Sequence, residues 1–298
     1  MLFDRQKRLL ALLKALGGEV GKLDFQKLLF LYCKNVEHIP SYEFVPYKFG
    51  GFSFTSYADK RRLTEGGLLG ETERTWKLTR AGKAAAKVSS TIQTEMCQFA
   101  KQHAHLRGDA LIAAAYRQHP YYATQSEIVS RILKRDALAL GAVEIARPSP
   151  GVAGVCTIGY EGRSLEGYLN LLLKNGVTVL CDVRRNPLSR KYGFSKRTLS
   201  SSCEGLGIRY EHLPELGIDS DRRRDLHTQT DYDALFLDYK RDDLPKQRNI
   251  LDRIVDWVKD GERVALTCYE NEPRQCHRHC VAEALERAPG NNWHAEHL

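Results

Sequence analysis

The sequence predicts an α/β protein: an open, mostly parallel sheet with flanking helices, preceded by a mainly helical domain. Two observations carry the prediction. Short apolar runs at residues 154–159, 177–183 and 264–267 alternate with helix-like stretches, the pattern of βαβ units. Residues 1–150 show helical periodicity instead, with one short hairpin-like stretch. The segment Arg147-Pro-Ser-Pro-Gly151 reads as the linker, giving expected domains at 1–148 and 152–298.

Taken in order, residues 4–15 form an amphipathic helix carrying Leu9, Leu10, Leu12 and Leu13, with Leu16 just beyond, stopped by Gly17-Gly18. Asp24 is the expected cap of a second helix over 25–34, in which Leu28, Leu29, Phe30 and Leu31 demand burial. An aromatic, glycine-interrupted stretch follows at 42–54. A third helix over 55–65 is expected to expose Lys60, Arg61 and Arg62, and Gly66-Gly67 ends it. Residues 68–79 read as a two-stranded wing. Helix, helix, basic helix and hairpin is the order of a winged helix-turn-helix. Further helices are expected over 110–116 and 127–139.

Charge separates the two halves. Residues 1–150 hold 23 Lys and Arg against 14 Asp and Glu, and residues 151–298 hold 22 against 23. The whole basic excess lies in the first half, which points to DNA or another nucleic acid as its partner, through Lys60, Arg61 and Arg62. A protein with an acidic face is the alternative partner.

In the second half a strand over 154–159 turns at Gly159 into a helix over 165–174, capped by Ser164, and returns as a strand over 177–183. The last strand opens into a loop with Cys268, Glu270 and Pro273. Cys276, His277 and Arg278 then stand where a helix over 278–287 begins. Parallel strands send their following loops to one edge, the usual crevice for ligands. Tyr160, Glu161, Asp182, Arg184, Arg185, Arg190, Cys268 and Glu270 are therefore expected to converge, with Cys276, His277 and Arg278 beside them. Arg184, Arg190 and Arg278 suit a phosphate clamp. Asp182 and Glu270 suit either orienting those guanidiniums or acid/base work. Tyr160 suits stacking on a base. Asp182, Glu270, Cys268 and Tyr160 are the catalytic candidates; Glu161, Arg184, Arg185, Arg190, Cys276, His277 and Arg278 are the ligand-binding ones.

Other chemistries fit less well. Cys268, Cys276, His277, His279 and Cys280 invite a metal reading, but there is no Cys-x-x-Cys knuckle, so a site without metal or cofactor is expected. Cys268 and Arg274 have the spacing of a cysteine phosphatase, yet Glu270, Glu272 and Pro273 within that loop oppose anion binding. The run from Asp221 to Asp225, Asp-Arg-Arg-Arg-Asp, is flanked by acids and reads as an exposed loop. No Walker loop, Gly-x-Gly-x-x-Gly or serine-triad motif is present.

Three motifs in the second half carry a resemblance: Thr157-Ile-Gly-Tyr-Glu-Gly162, Asp182-Val-Arg-Arg-Asn-Pro-Leu-Ser-Arg190, and Cys268-x-Glu270 with Cys276-His-Arg278. Over residues 153–287 the chain resembles the domain-of-unknown-function 488 family, which implies an α/β fold and an arginine-rich pocket. Asp24-Phe-Gln-Lys-Leu-Leu-Phe-Leu-Tyr32 and Tyr47-Lys-Phe-Gly-Gly-Phe-Ser53 resemble the SocA-like Panacea domain of antitoxins over 20–85. The expectation is a DNA-binding enzyme acting on nucleic acid or a nucleotide. The alternative is a DNA-binding regulator, antitoxin-like, sensing a phosphorylated ligand. No apolar run long enough to span a membrane and no signal peptide is evident, so a cytoplasmic location is expected.

Overall fold

The computed structural model describes residues 1–298 apart from Asp225 and Asn292. The chain divides into two compact units, Met1–Arg147 and Pro148–Leu298.

In the first unit, α1 (Asp4–Ala15) buries Leu9, Leu10, Leu12 and Leu13. It stops where Gly17 and Gly18 adopt φ of +100° and +84°, a region that disfavours any side chain. A short strand β1 (Glu19–Gly21) leads into α2 (Lys22–Asn35). This helix starts earlier than expected. Gly21, not Asp24, stands at its N-cap, and Asp24 Oδ1 instead accepts from the Gly108 amide at 2.8 Å. From Phe25 to Cys33 the helix is buried throughout, Lys27 included. The Lys27 ammonium donates to the Gly51 carbonyl at 3.1 Å, and burial pushes its pKa down to about 7.

Helix α3 (Phe54–Glu65) is capped by Ser53 Oγ, which accepts from the Ser56 amide at 3.1 Å. Strands β2 (Leu69–Glu71) and β3 (Thr75–Leu78) form the expected hairpin, and β1 joins it as an antiparallel sheet of order β1-β3-β2. Leu9, Leu13, Phe25 and Leu28 pack with Trp76 of this sheet into one core. Next come α4 (Arg80–Ala85), α5 (Ser90–Gln102), α6 (Gly108–Gln118), α7 (Val129–Ile132) and α8 (Ala137–Ile145). The single helix expected over 127–139 is broken in two. Asp136 Oδ1 accepts from the Ala139 amide at 3.0 Å and so starts a new helix there.

One expectation for α3 needs correction. Arg61 and Arg62 are exposed, but the Lys60 side chain is only 13% exposed. Its ammonium pairs with Glu71 and lies 5.5 Å from the Trp76 ring centroid. Lys22 and Lys60 together hold the Glu71 carboxyl down to about 2.

The second unit is built on strands β4 (Gly154–Gly159), β5 (Val179–Asp182), β6 (Arg209–His212), β7 (Arg263–Cys268) and β8 (Glu296–His297), in the order β6-β5-β7-β4-β8. Every neighbouring pair is parallel. The sheet is flanked by α9 (Leu165–Lys174), α10 (Lys196–Glu204), α11 (Gln229–Asp238), α12 (Arg248–Lys259) and α13 (Arg278–Glu286). Val264, Leu266 and Cys268 share one face of β7 with Ile254 and Val258 of α12 and Val281 and Leu285 of α13. On the opposite face, Thr267 Oγ1 accepts from Tyr168 of α9 at 2.7 Å. With both faces covered, the continuous apolar character of β4 and β5 follows. Strands β6 and β8 lie at the edges and carry Arg, Glu and His, which hides them from a search for apolar runs. Among the described residues no helix is long and apolar enough to cross a membrane.

Candidate functional site

Strand register brings the candidate loops together. In the parallel ladder Gly159 of β4 faces Cys268 of β7, and Asp182 of β5 faces Thr267. The loops after these three central strands therefore leave from the same edge. Gly159 is required there by close approach: a Cβ on it would lie 1.9 Å from the Glu270 carbonyl oxygen. Gly217 similarly lets the chain pass the Arg185 backbone, where a Cβ would lie 2.1 Å from its nitrogen.

A cavity of about 340 Å³ opens at this edge. Its walls include Tyr160, Arg184, Arg185, Arg190, Cys268 and Glu270 from the expected set. Asn186, Ser189, Ser220, Arg223 and Tyr269 also line it. Glu161, Asp182, Cys276, His277 and Arg278 do not line it; they stand behind it or hold its loops.

Arg184 forms the rear wall, with Asp182 behind it. Asp182 is wholly buried, and its Oδ1 accepts from the Arg184 amide at 3.1 Å and from Nε at 2.8 Å. Its Oδ2 accepts from Arg184 Nη2 at 2.5 Å and from the Tyr210 hydroxyl at 2.6 Å. Arg184 Nη1 donates to the Tyr160 hydroxyl at 2.9 Å and to the Phe194 carbonyl at 2.8 Å. Burial penalises the Arg184 charge, yet the bonds from Asp182 outweigh that and hold its pKa above the usual guanidinium value. Four of the five guanidinium N–H groups thus already have acceptors in the protein. Of the two roles open to Asp182, the geometry matches orienting Arg184. Arg184 frames the cavity more than it clamps a ligand.

Arg278 corrects a further expectation. It is 1% exposed and spends its donors on Thr157 Oγ1 at 3.3 Å, the Glu270 carbonyl and the Asn271 carbonyl at 2.9 Å. It ties down the loop after β7 and presents nothing to the cavity. Glu161 does related work, accepting from the Asn271 amide at 3.1 Å. Tyr160 cannot offer an open face to a base, since it is only 3% exposed, with Phe194 stacked on it at 4.3 Å and the Arg184 guanidinium 5.1 Å from its ring centroid. The exposed aromatic on the cavity is Tyr269, at 45%.

Arg185 is exposed and pairs with Asp219 at 3.1 Å. Arg190 is exposed on the cavity wall and has no hydrogen-bond or ion-pair partner among the described residues. Arg223 pairs with Glu270 Oε1. It belongs to the Asp221–Asp225 run, in which Asp221, Arg222 and Arg224 are exposed, as expected of an exposed loop, while Arg223 is half-buried on the cavity wall. Asp225 itself lies outside the described residues.

Below Glu270 lies a buried sulfur cluster. Cys268 Sγ is 3.4 Å from Glu270 Oε2 and 3.9 Å from His277 Nδ1. Cys276 also reaches Cys268 and, with burial opposing, holds the Cys268 thiol well below its ordinary pKa; burial pushes Cys276 the other way. A thiol donating to Glu270 and a thiolate accepting from Cys276 are alternative proton placements. The Cys276 bond is the larger influence and favours the thiolate. His277 Nε2–H donates to the Val183 carbonyl at 3.0 Å, which fixes the ring with Nδ1 3.9 Å from the Cys268 sulfur. Arg274 lines a different cavity, with His279 and Glu283, so the Cys268 loop does not wrap an anion with Arg274 as phosphatases do.

Residues 164–285 match the model of the family described as domain of unknown function DUF488. No curated protein and no solved structure matches the chain. The DUF488 segment runs from the cap of α9 into α13 and contains Asp182, the four cavity arginines and the sulfur cluster, while Tyr160 precedes it. It supports the family resemblance of the C-terminal half. The Panacea resemblance of residues 20–85 lies outside the DUF488 match and gains no support from it.

Proposed function

We propose that the C-terminal unit is an enzyme acting on a phosphate-bearing ligand, a nucleotide or a nucleic-acid end, held in this cavity. Arg190 carries the reading. It is an exposed guanidinium with no hydrogen-bond or ion-pair partner among the described residues, on the wall of a cavity that Arg185 and Arg223 also line. Planar guanidinium forks match phosphate oxygens in pairs. Tyr269 supplies an exposed aromatic face beside them, as base stacking requires. The volume is within the usual range for small-molecule sites.

Of the two carboxylates, Glu270 is the better candidate for proton transfer. It lines the cavity at 8% exposure, whereas the Asp182 oxygens are filled by Arg184 and Tyr210. The N-terminal unit would hold a nucleic-acid partner by backbone charge. Its excess of basic residues, and the exposed Arg61 and Arg62 on α3, support this.

The test is calorimetric titration of the full chain with a nucleoside monophosphate and a 5′-phosphorylated oligonucleotide. Arg190→Ala should weaken binding about tenfold or more, the range for a hydrogen bond to a charged group. Arg274→Ala, on another cavity, should leave it unchanged. Glu270→Gln should keep binding and lose turnover, read by mass spectrometry of the products. Absence of binding by either probe at millimolar concentration would sink the reading.

A further inference from the structure

We propose that Cys268, Cys276 and His277 form a zinc site at the base of the cavity. Sulfur, sulfur and imidazole nitrogen all lie within 4.8 Å of one another, and all three residues are buried. A tetrahedral zinc ion needs S···S and S···N separations of about 3.8 Å and about 3.6 Å, given its usual bond lengths. The Cys268–His277 pair, at 3.9 Å, is already close to this. Modest rotation of the thiol side chains closes the remainder.

Three further features suit a metal. First, His277 Nε2–H is fixed on the Val183 carbonyl at 3.0 Å, so the ring turns Nδ1 toward the sulfurs, where its lone pair in the neutral ring can bind a metal. A metal-ligating histidine is held by a second acceptor in just this manner. Second, the donor set is two thiolates and one imidazole, which favours zinc over magnesium or calcium. Third, two thiolates offset the ion's charge, so the buried site carries no net charge.

No Cys-x-x-Cys knuckle is needed, because the ligands come from two elements. The end of β7 gives Cys268, and the start of α13 gives Cys276 and His277. The sequence shows these as eight and nine residues apart, a spacing that carries no metal signature. The fourth position falls toward Glu270, whose Oε2 is 3.4 Å from Cys268 Sγ. Cys268 and Glu270 line the cavity, while Cys276 and His277 do not. Three protein ligands with a fourth place facing a pocket is the arrangement of catalytic rather than structural zinc. The site itself does not rest on the phosphate reading, since none of its three ligands is an arginine of the cavity wall.

The experiment uses the full chain purified reduced and without a histidine tag. Elemental analysis should find about one zinc per chain after dialysis, as a tight three-ligand site requires. Cobalt(II) in its place should give the near-ultraviolet thiolate-to-metal charge-transfer band. Cys276→Ser should lose both. Cys280→Ser, a buried α13 thiol outside the trio, should keep both. Arg190→Ala should also keep both, which separates this proposal from the anion reading. Zinc retained at full stoichiometry in Cys276→Ser overturns the proposal. If Cys276→Ser does not fold, wild type decides: a chain that takes up neither zinc nor cobalt, with no charge-transfer band, overturns it equally.

Discussion

Asp182 grips Arg184 with both carboxylate oxygens, at 2.8 and 2.5 Å, and neither side chain reaches solvent appreciably. The pair is separated by one residue at the end of β5, so the strand delivers both ends of the ion pair to the same place. Arg184 then reaches across to the Tyr160 hydroxyl after β4. One guanidinium thus connects the ends of two strands that are not hydrogen-bonded neighbours, since β7 lies between them.

The first prediction concerns that pair. Removing one partner of a buried ion pair leaves an uncompensated charge and typically costs about 3–5 kcal/mol. Asp182→Asn should therefore destabilise the C-terminal unit by that order in urea unfolding. Asp182→Asn combined with Arg184→Met should recover a substantial part of the loss, because the second change removes the stranded charge. An Asp182→Asn chain as stable as wild type would show that Arg184 finds other compensation. Loss of activity in Asp182→Asn alone is consequently not a sign of catalysis by Asp182.

The same pair shows what the sequence could and could not reveal. Apolar runs located β4, β5 and β7, and parallel pairing put their ends on one edge; this much follows from periodicity and chain connection. Which arginine faces the cavity did not follow. Arg184 and Arg278 are consumed by acceptors brought from distant positions, such as the carbonyls of Phe194 and Glu270. Arg223 looked neutralised by its sequence neighbours, but its partner is Glu270, far along the chain. Side-chain occupancy is a tertiary property, and residue spacing does not encode it. Tyr269 had no local signal: it sits between Cys268 and Glu270, and strand alternation alone turns it away from their face, yet it lines the same cavity.

Tyr269 gives the second prediction. If a base stacks on its exposed ring, Tyr269→Ala should weaken nucleotide binding by about 1–3 kcal/mol, the range for base–aromatic stacking. Tyr269→Phe should bind as wild type does, because the π face is retained. Binding of inorganic phosphate should not change in either variant. Equal losses for phosphate and nucleotide would mean that Tyr269 shapes the loop instead of stacking.

Lys27 gives a prediction for pH. Its amine titrates near 7 when folded and at the ordinary 10.5 when unfolded, because burial disfavours the charge. Between those values the unfolded chain binds a proton that the folded chain does not. Stability must then rise with pH across that window, and below about pH 7 this group adds no further slope. Trp76 is the tryptophan of the first unit. Its fluorescence, in a chain with Trp257→Phe and Trp293→Phe, can follow unfolding of that unit. Wild type should gain roughly a few kcal/mol from pH 7 to 10, on the scale of 1.36 kcal/mol per pKa unit. Lys27→Met should be more stable than wild type at pH 7 and flat over the same range. A falling or flat wild-type profile there would contradict a neutral buried amine.

The last prediction separates the three basic residues of α3. A protein that neutralises phosphates shows a log–log salt slope of about −0.9 for each contact on duplex DNA. Arg61 and Arg62 are exposed, so replacing both with alanine should flatten the slope by about 1.8, two contacts' worth. Lys60 should behave differently. Its ammonium is engaged by Glu71 and lies over Trp76, so Lys60→Ala should leave the slope almost unchanged. It should instead loosen the β2–β3 hairpin, where Glu71 would keep only Lys22, at 2.8 Å. Hydrogen exchange at β2 and β3 would register that loosening. If Lys60→Ala flattens the slope as each arginine does, the Glu71 pair opens on DNA and the ammonium moves to phosphate. If the double arginine variant keeps the wild-type slope, α3 is not the DNA-facing helix, and an acidic protein surface becomes the partner to test against Arg61 and Arg62.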